Sequence, residues 1–234
     1  MKLSELPQRL LLPLVLLSVV FTGWTLATPY IAAGSGLAGW IHRNLDLRHE
    51  VTLAVCFEGF LILVCGMSFV PLSSLGRLRK GFPRYFRVLF ILCAAGCVFL
   101  AADEGLMIHE RLGARLEAST GLTAGSRIEG WGFSWVLVYG PAALTALVII
   151  SCALGRMIAA MPAASRLRRR AWVFLGLVVL AVPAVLTCEI VEAAAMSGGA
   201  PGAPVVDGIE ETLEIIGALG LLACNVTIAR EYRL

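Results

Sequence analysis

Six long apolar runs are the feature that most constrains the fold of this chain. They cover about residues 10–32, 51–75, 88–108, 132–158, 171–193 and 209–229, and each is long enough to cross a hydrocarbon core of roughly 30 Å as a helix. Lipid cannot hydrogen-bond backbone amides, and the runs lack the alternation of barrel strands. The sequence therefore predicts an all-α, polytopic membrane protein, in which residues 1–234 form a single transmembrane domain of six helices.

The overall composition supports this class of protein. Of the 234 residues, 59% are hydrophobic and only 15% are charged, whereas a soluble domain needs more polar surface. The segment 1–21 is similar to a secretory signal, but its apolar run continues to Ile31, so we expect it to remain as the first span. The glycine-rich segments 34–39 and 197–208 are expected to be flexible loops.

Basic residues are concentrated at one side of the predicted bundle. Of the 19 Lys and Arg, 14 precede the first span, follow the last, or lie between spans two and three or in and beside the connection of spans four and five, where Arg156 ends span four. The positive-inside rule then places both termini in the cytoplasm, and we expect a bacterial inner (plasma) membrane. Short arginine runs of this kind are typical of topology signals and of contacts with anionic lipids of the bilayer, so no nucleic-acid partner is expected.

Acidic residues have the opposite distribution. Of the 16 Asp and Glu, 14 lie on the other side, together with all three histidines. Asp46, Glu117 and Glu129 are expected to be solvated. Others lie within or beside apolar sequence on four of the spans. The candidate site residues are Glu58, Asp103, Glu104, His109, Glu110, Glu189, Glu192, Glu210, Glu211 and Glu214.

The depths of these side chains follow from their distance along the helix to the nearest basic loop. At about 1.5 Å per residue, Asp103 lies about 24 Å and Glu192 about 33 Å from the loop arginines. Spans two, three, five and six thus deliver carboxylates to one layer and should form a functional core, with spans one and four packed outside it. Clustered carboxylates cannot all be ionised at low dielectric, so either protons or a cation must neutralise them.

A metal site is the first hypothesis for this layer. Carboxylates with histidine suit Fe, Zn or Mn, and a four-helix core can hold a di-nuclear centre that could act on a lipid-soluble substrate. The Glu-x-x-His pairs of ferritin-type bundles are absent from the sequence. The preferred ligands are Glu58, Asp103, His109, Glu189, Glu211 and Glu214, with Glu104, Glu110, Glu192 and Glu210 in supporting positions.

Two other hypotheses remain open. In a proton or cation transporter or channel, the acids would bind ions in transit, but no acidic residue continues the path through the other half of these spans. In an accessory subunit of a larger complex, the acids would contact a membrane-protein partner or a second copy of the chain.

Two sequence motifs resemble those of a known family of membrane proteins. Residues 99–112, FLAADEGLMIHERL, and 208–218, GIEETLEIIGA, are similar to a pattern in uncharacterised bacterial multi-pass membrane proteins, which pair a DE…HE helix with a C-terminal EExxE helix. That family has no assigned activity. The resemblance therefore implies a shared site and supplies no reaction.

Overall fold

The structure is a computed structural model that describes residues 6–28, 36–47, 52–78, 82–106, 108–121, 134–197 and 203–233. The helices are α1 (Leu6–Ala27), α2 (Gly36–Leu45), α3 (Leu53–Leu78), α4 (Tyr85–Leu106), α5 (Ile108–Thr120), α6 (Ser134–Ala159), α7 (Arg166–Ser197) and α8 (Ala203–Tyr232). All except α2 and α5 are long and apolar enough to cross a membrane. Within the described ranges the predicted all-α, multi-pass architecture is confirmed. The single-domain assignment and the cytoplasmic location of both termini stay predictions.

The helices α3 and α8 lie at the centre of the bundle. More than half of the residues in their apolar segments are buried, 56% and 61%, against 17–22% for the other four long helices. α4 packs along α3, α7 packs along α8, and α3 and α8 pack against each other. These four helices are called the core helices below. α1 packs mainly on α8 and α6 mainly on α7, so both lie outside the core helices, as the acid distribution indicated.

Glycines bring the paired core helices into close contact. A Cβ atom on Gly66 would lie 2.8 Å from the Cβ atom of Cys97, and one on Gly59 would lie 3.3 Å from a backbone oxygen of α4. A Cβ atom on Gly220 would similarly lie 3.3 Å from a backbone oxygen of α7. Helices in a membrane associate through such close packing, because lipid supplies no hydrophobic force between them. These contacts fix which levels of neighbouring helices face one another.

An apolar core fills the end of the bundle near the arginine-rich connections, which is called the basic side below. It includes the buried side chains of Phe69, Phe90 and Met157 from three helices. The rings of Phe69 and Phe90 stack with their centroids 5.8 Å apart. The hydroxyl of Tyr232 donates a hydrogen bond to the backbone oxygen of Met157 at 2.9 Å, which ties the end of α8 to α6. Packed apolar side chains therefore fill the interior of the described bundle at the basic side.

Two expectations about loops on the opposite side are wrong. α2 begins at Gly36 and α8 begins at Ala203, so parts of both glycine-rich segments are helical. Asp46, expected to be solvated, is fully buried. The reason is that the backbone N–H of Leu47 donates a hydrogen bond to Oγ1 of Thr25 at 2.9 Å, which folds the end of α2 onto α1.

The other two acids expected to be solvated have different outcomes. Glu117 is partly exposed on α5. Glu129 lies outside the described residues.

Candidate metal centre

Three carboxylates meet where α3, α4 and α8 approach one another. Glu58 on α3, Glu104 on α4 and Glu214 on α8 each place one carboxylate oxygen within 4.8 Å of the other two. Glu58 is only 2% exposed, and the other two are half-buried. The absence of a side chain at Gly59 lets α3 and α4 approach closely beside the trio, since a Cβ atom there would lie only 3.3 Å from the backbone oxygen of Ala101. We call Glu58, Glu104 and Glu214 the carboxylate trio.

Further acids surround the carboxylate trio. Glu58 forms side-chain hydrogen bonds with Glu211 and with Glu214, both on α8. The charge of Glu214 also interacts with those of Asp103 on α4 and Glu189 on α7. Each of the four core helices therefore contributes at least one acid to the same level of the bundle.

The trio requires a proton or a cation. A hydrogen bond between two carboxyl groups needs a proton on one of them, because an ionised carboxylate can only accept. The charges that act most strongly on Glu58 are those of Glu214, Glu211 and Glu104. Oε2 of Glu58 is enclosed and receives no hydrogen bond from a donor group in the described part of the chain. Leaving such an oxygen unsatisfied costs about 1–3 kcal/mol, so the site is suited to a positively charged ligand.

The structure brings six of the ten candidate residues together. It also changes which of them are at the centre of the site and which are in supporting positions. Those that meet are Glu58, Asp103, Glu104, Glu189, Glu211 and Glu214. Glu104, expected in a supporting position, belongs to the trio, whereas Asp103 does not. Adjacent residues on a helix point about 100° apart, and the sequence did not determine which of the two faces α3.

The remaining four candidates are Glu210, His109, Glu110 and Glu192. Glu210 is buried on α8. His109 and Glu110 lie on α5 and Glu192 lies on α7, and the side chains of these three are outside the described part. The role of all ten residues as metal ligands stays a prediction.

A buried polar pair in the core helices escaped the sequence analysis. Asn225 on α8 is fully buried, and its Nδ2 donates a hydrogen bond to Oγ of Ser68 on α3 at 2.9 Å. Oδ1 of Asn225 has no hydrogen-bond partner among the residues that the structure describes. A search for charged residues overlooks both side chains because they are neutral. The signal that could have found Asn225 is its isolation in the apolar run 221–226, LLACNV.

A comparison with protein families decides the family of this chain. The model of a domain of unknown function, DUF8692, matches residues 51–228. The chain belongs to the DUF8692 family. No curated protein and no solved structure matches the chain. The expectation of an uncharacterised family is confirmed, whereas its bacterial origin stays a prediction. The DUF8692 match includes all the carboxylates of the site, and α1 and α2 precede it.

Proposed function

We propose that this DUF8692 protein resides in a bacterial inner membrane and binds a divalent metal ion at the carboxylate trio. The observation that supports the proposal is the convergence of three carboxylate oxygens, from α3, α4 and α8, to within 4.8 Å of one another. Oxygen ligands lie about 2.0–2.6 Å from a divalent ion, which puts neighbouring ligand atoms roughly 3–4 Å apart. Small side-chain rotations would therefore be enough to close the trio around one ion.

The chemistry of the donors favours particular ions. An all-carboxylate set suits Mn²⁺ better than Zn²⁺ among the ions considered, whereas recruitment of the imidazole of His109 would favour Fe or Zn. If Asp103, Glu189 and Glu211, which interact electrostatically with members of the trio, assisted a second ion, a di-nuclear centre would form inside the four core helices. Such a centre could activate water or oxygen for reaction with a lipid-soluble substrate.

Metal content tests the proposal directly. Full-length protein in mild detergent is loaded separately with Mn²⁺, Fe²⁺ and Zn²⁺, desalted and analysed by mass spectrometry. We expect about one ion per chain for at least one metal in the wild type, and at least about a tenfold loss in Glu58→Gln/Glu214→Gln. Glu117→Gln/Glu231→Gln removes two acids away from the trio and should keep the metal. Equally low metal in all three proteins would contradict the proposal.

Transport of cations or protons is a second candidate, which Asn225 favours. Its buried Oδ1, which has no hydrogen-bond partner within the described ranges, lies on α8 about 16 Å along the helix from Glu214 toward the basic side. The two central helices thus carry polar groups at two levels. The apolar core around Phe69 and Phe90 opposes this candidate, because an ion would have to cross it.

Ion flux in liposomes distinguishes the two candidates. A transporter should dissipate a Mn²⁺ or pH gradient, Glu58→Gln should abolish the flux, and Asn225→Leu should slow it. Metal retention without flux under either gradient would identify a stationary centre and reject transport.

A further inference from the structure

A cavity of about 360 Å³ lies on the basic side, at the opposite end of α7 from Glu189. Its walls are formed by Arg166, Arg169, Arg170, Val173 and Phe174. The first four residues are spaced i, i+3, i+4 and i+7, so they line one face of the first turns of α7. The cavity is separate from the carboxylate trio. Its lining is positively charged, whereas the trio consists of acidic residues.

The cavity walls concentrate positive charge. Among the described residues that line it, three carry guanidinium groups and none is an acid. The nearby acid Glu231 instead accepts a hydrogen bond from Oγ of Ser165 at 2.9 Å. Arg168, the other arginine of this segment, donates to the backbone oxygen of Met161 at 3.3 Å. The three cavity arginines are exposed and offer a cluster of donors to an anion.

The apolar part of the wall restricts the class of anion. Guanidinium groups bind phosphate oxygens through paired hydrogen bonds. Val173 and Phe174 extend the wall from the arginines into the apolar stretch of α7. Free phosphate would leave this apolar part uncovered, whereas the acyl chain of a phospholipid would cover it. Basic pockets beside membrane spans are suited to acidic lipid headgroups in this way.

We propose that this cavity binds the phosphate headgroup of an anionic phospholipid from the leaflet on the basic side, with an acyl chain along Val173 and Phe174. The arginines would then hold α7 at a fixed depth in the membrane. The site does not depend on the metal centre.

Lipid titration of the full-length protein tests the proposal. Short-chain phosphatidylglycerol, short-chain phosphatidylcholine and inorganic phosphate are titrated separately into the protein in neutral detergent, and binding is followed by native mass spectrometry. We expect saturable binding of phosphatidylglycerol alone, with a Kd that rises at least about tenfold in Arg169→Gln/Arg170→Gln. The control Arg84→Gln/Arg87→Gln removes two exposed arginines at the start of α4 and should change the Kd by less than about twofold.

Three outcomes would overturn the proposal. Equal affinity for phosphatidylcholine would mean that the headgroup charge is not recognised. Equal affinity for inorganic phosphate would identify a site for the free ion. An equal loss of phosphatidylglycerol affinity in both double variants would indicate that the lipid is attracted by the overall positive charge of the basic side and not by this cavity. Because all the substituted side chains are exposed, the variants should fold, and an unchanged unfolding temperature checks this. The variant Arg166→Gln removes the third arginine of the cavity and should also raise the Kd for phosphatidylglycerol.

Discussion

At the scale of single residues, the carboxyl group of Glu58 connects the trio with the neighbouring acid Glu211. It belongs to the trio with Glu104 and Glu214, and it also forms a hydrogen bond with Glu211. Such bonds hold at least one proton that a metal ion would have to replace.

Metal binding should therefore release protons. Titration calorimetry of the wild type with Mn²⁺, in buffers of equal pH but different ionisation enthalpies, should give heats that depend on the buffer. The affinity should increase as the pH rises, because carboxyl groups must lose their protons before they coordinate a metal. Heats that are identical in all buffers would mean that the ion displaces no proton from these hydrogen-bonded acids.

The pair formed by Ser68 and Asn225 leads to a second prediction at this scale. Ser68→Ala leaves the Nδ2 group of Asn225 without its acceptor and should destabilise the protein by about 0.5–1.5 kcal/mol. The double variant Ser68→Ala/Asn225→Leu removes both partners and should restore most of that loss. Unfolding in detergent–denaturant mixtures gives the values. A double variant that is clearly less stable than Ser68→Ala would show that Asn225 contributes through another interaction.

The sequence was sufficient to identify the acids of the site, but it was not sufficient to determine which of them face one another. Charged residues inside apolar runs are easy to recognise. The helical rise per residue predicted that Glu58, Glu189 and Glu214 lie at a similar depth in the bundle. Rotation of each helix about its axis is set by contacts with its neighbours. For that reason the choice between Asp103 and Glu104, and the burial of Asp46, required coordinates.

At the scale of the helices, the close contact of α3 with α4 has a measurable effect. Gly66→Ala introduces a Cβ atom 2.8 Å from the Cβ atom of Cys97, so the two backbones must separate. We expect a loss of about 1–3 kcal/mol and a lower unfolding temperature. Gly96→Ala on α4 is the matched control, because a Cβ atom there meets nothing within 4 Å. Equal unfolding temperatures for the two variants would refute the predicted contact.

The six spanning helices were predictable because their signal is long and almost independent of tertiary structure. A run of about 20 apolar residues has few alternatives in a membrane. The short helices α2 and α5 were not predicted, since each is too short to span a membrane and neither forms a continuous apolar run. Gly121 ends α5 in a left-handed conformation with φ of 60°, and its N–H donates to the backbone oxygen of Glu117 at 2.8 Å, which is a common helix ending.

At the scale of the whole molecule, the distribution of charge predicts the orientation. With 14 of 19 basic residues on one side, a green fluorescent protein fused after Leu234 should fluoresce, as expected for a cytoplasmic end. Alkaline phosphatase inserted after Gly125, between α5 and α6, should be active in the periplasm. The reverse pattern for the two fusions would overturn the predicted topology.

The central position of α8 has a consequence for how the protein is made. The helices that α8 contacts in the core, α3 and α7, precede it in the chain, so Glu58 enters the bilayer before Glu211 and Glu214 are synthesised. A buried acid is costly in lipid while its partners are missing. The nascent helices must therefore keep their acids protonated or remain sheltered by the insertion machinery until α8 arrives. Insertion of α8 would complete the bundle, and chains interrupted before that step should be preferred substrates for membrane proteases.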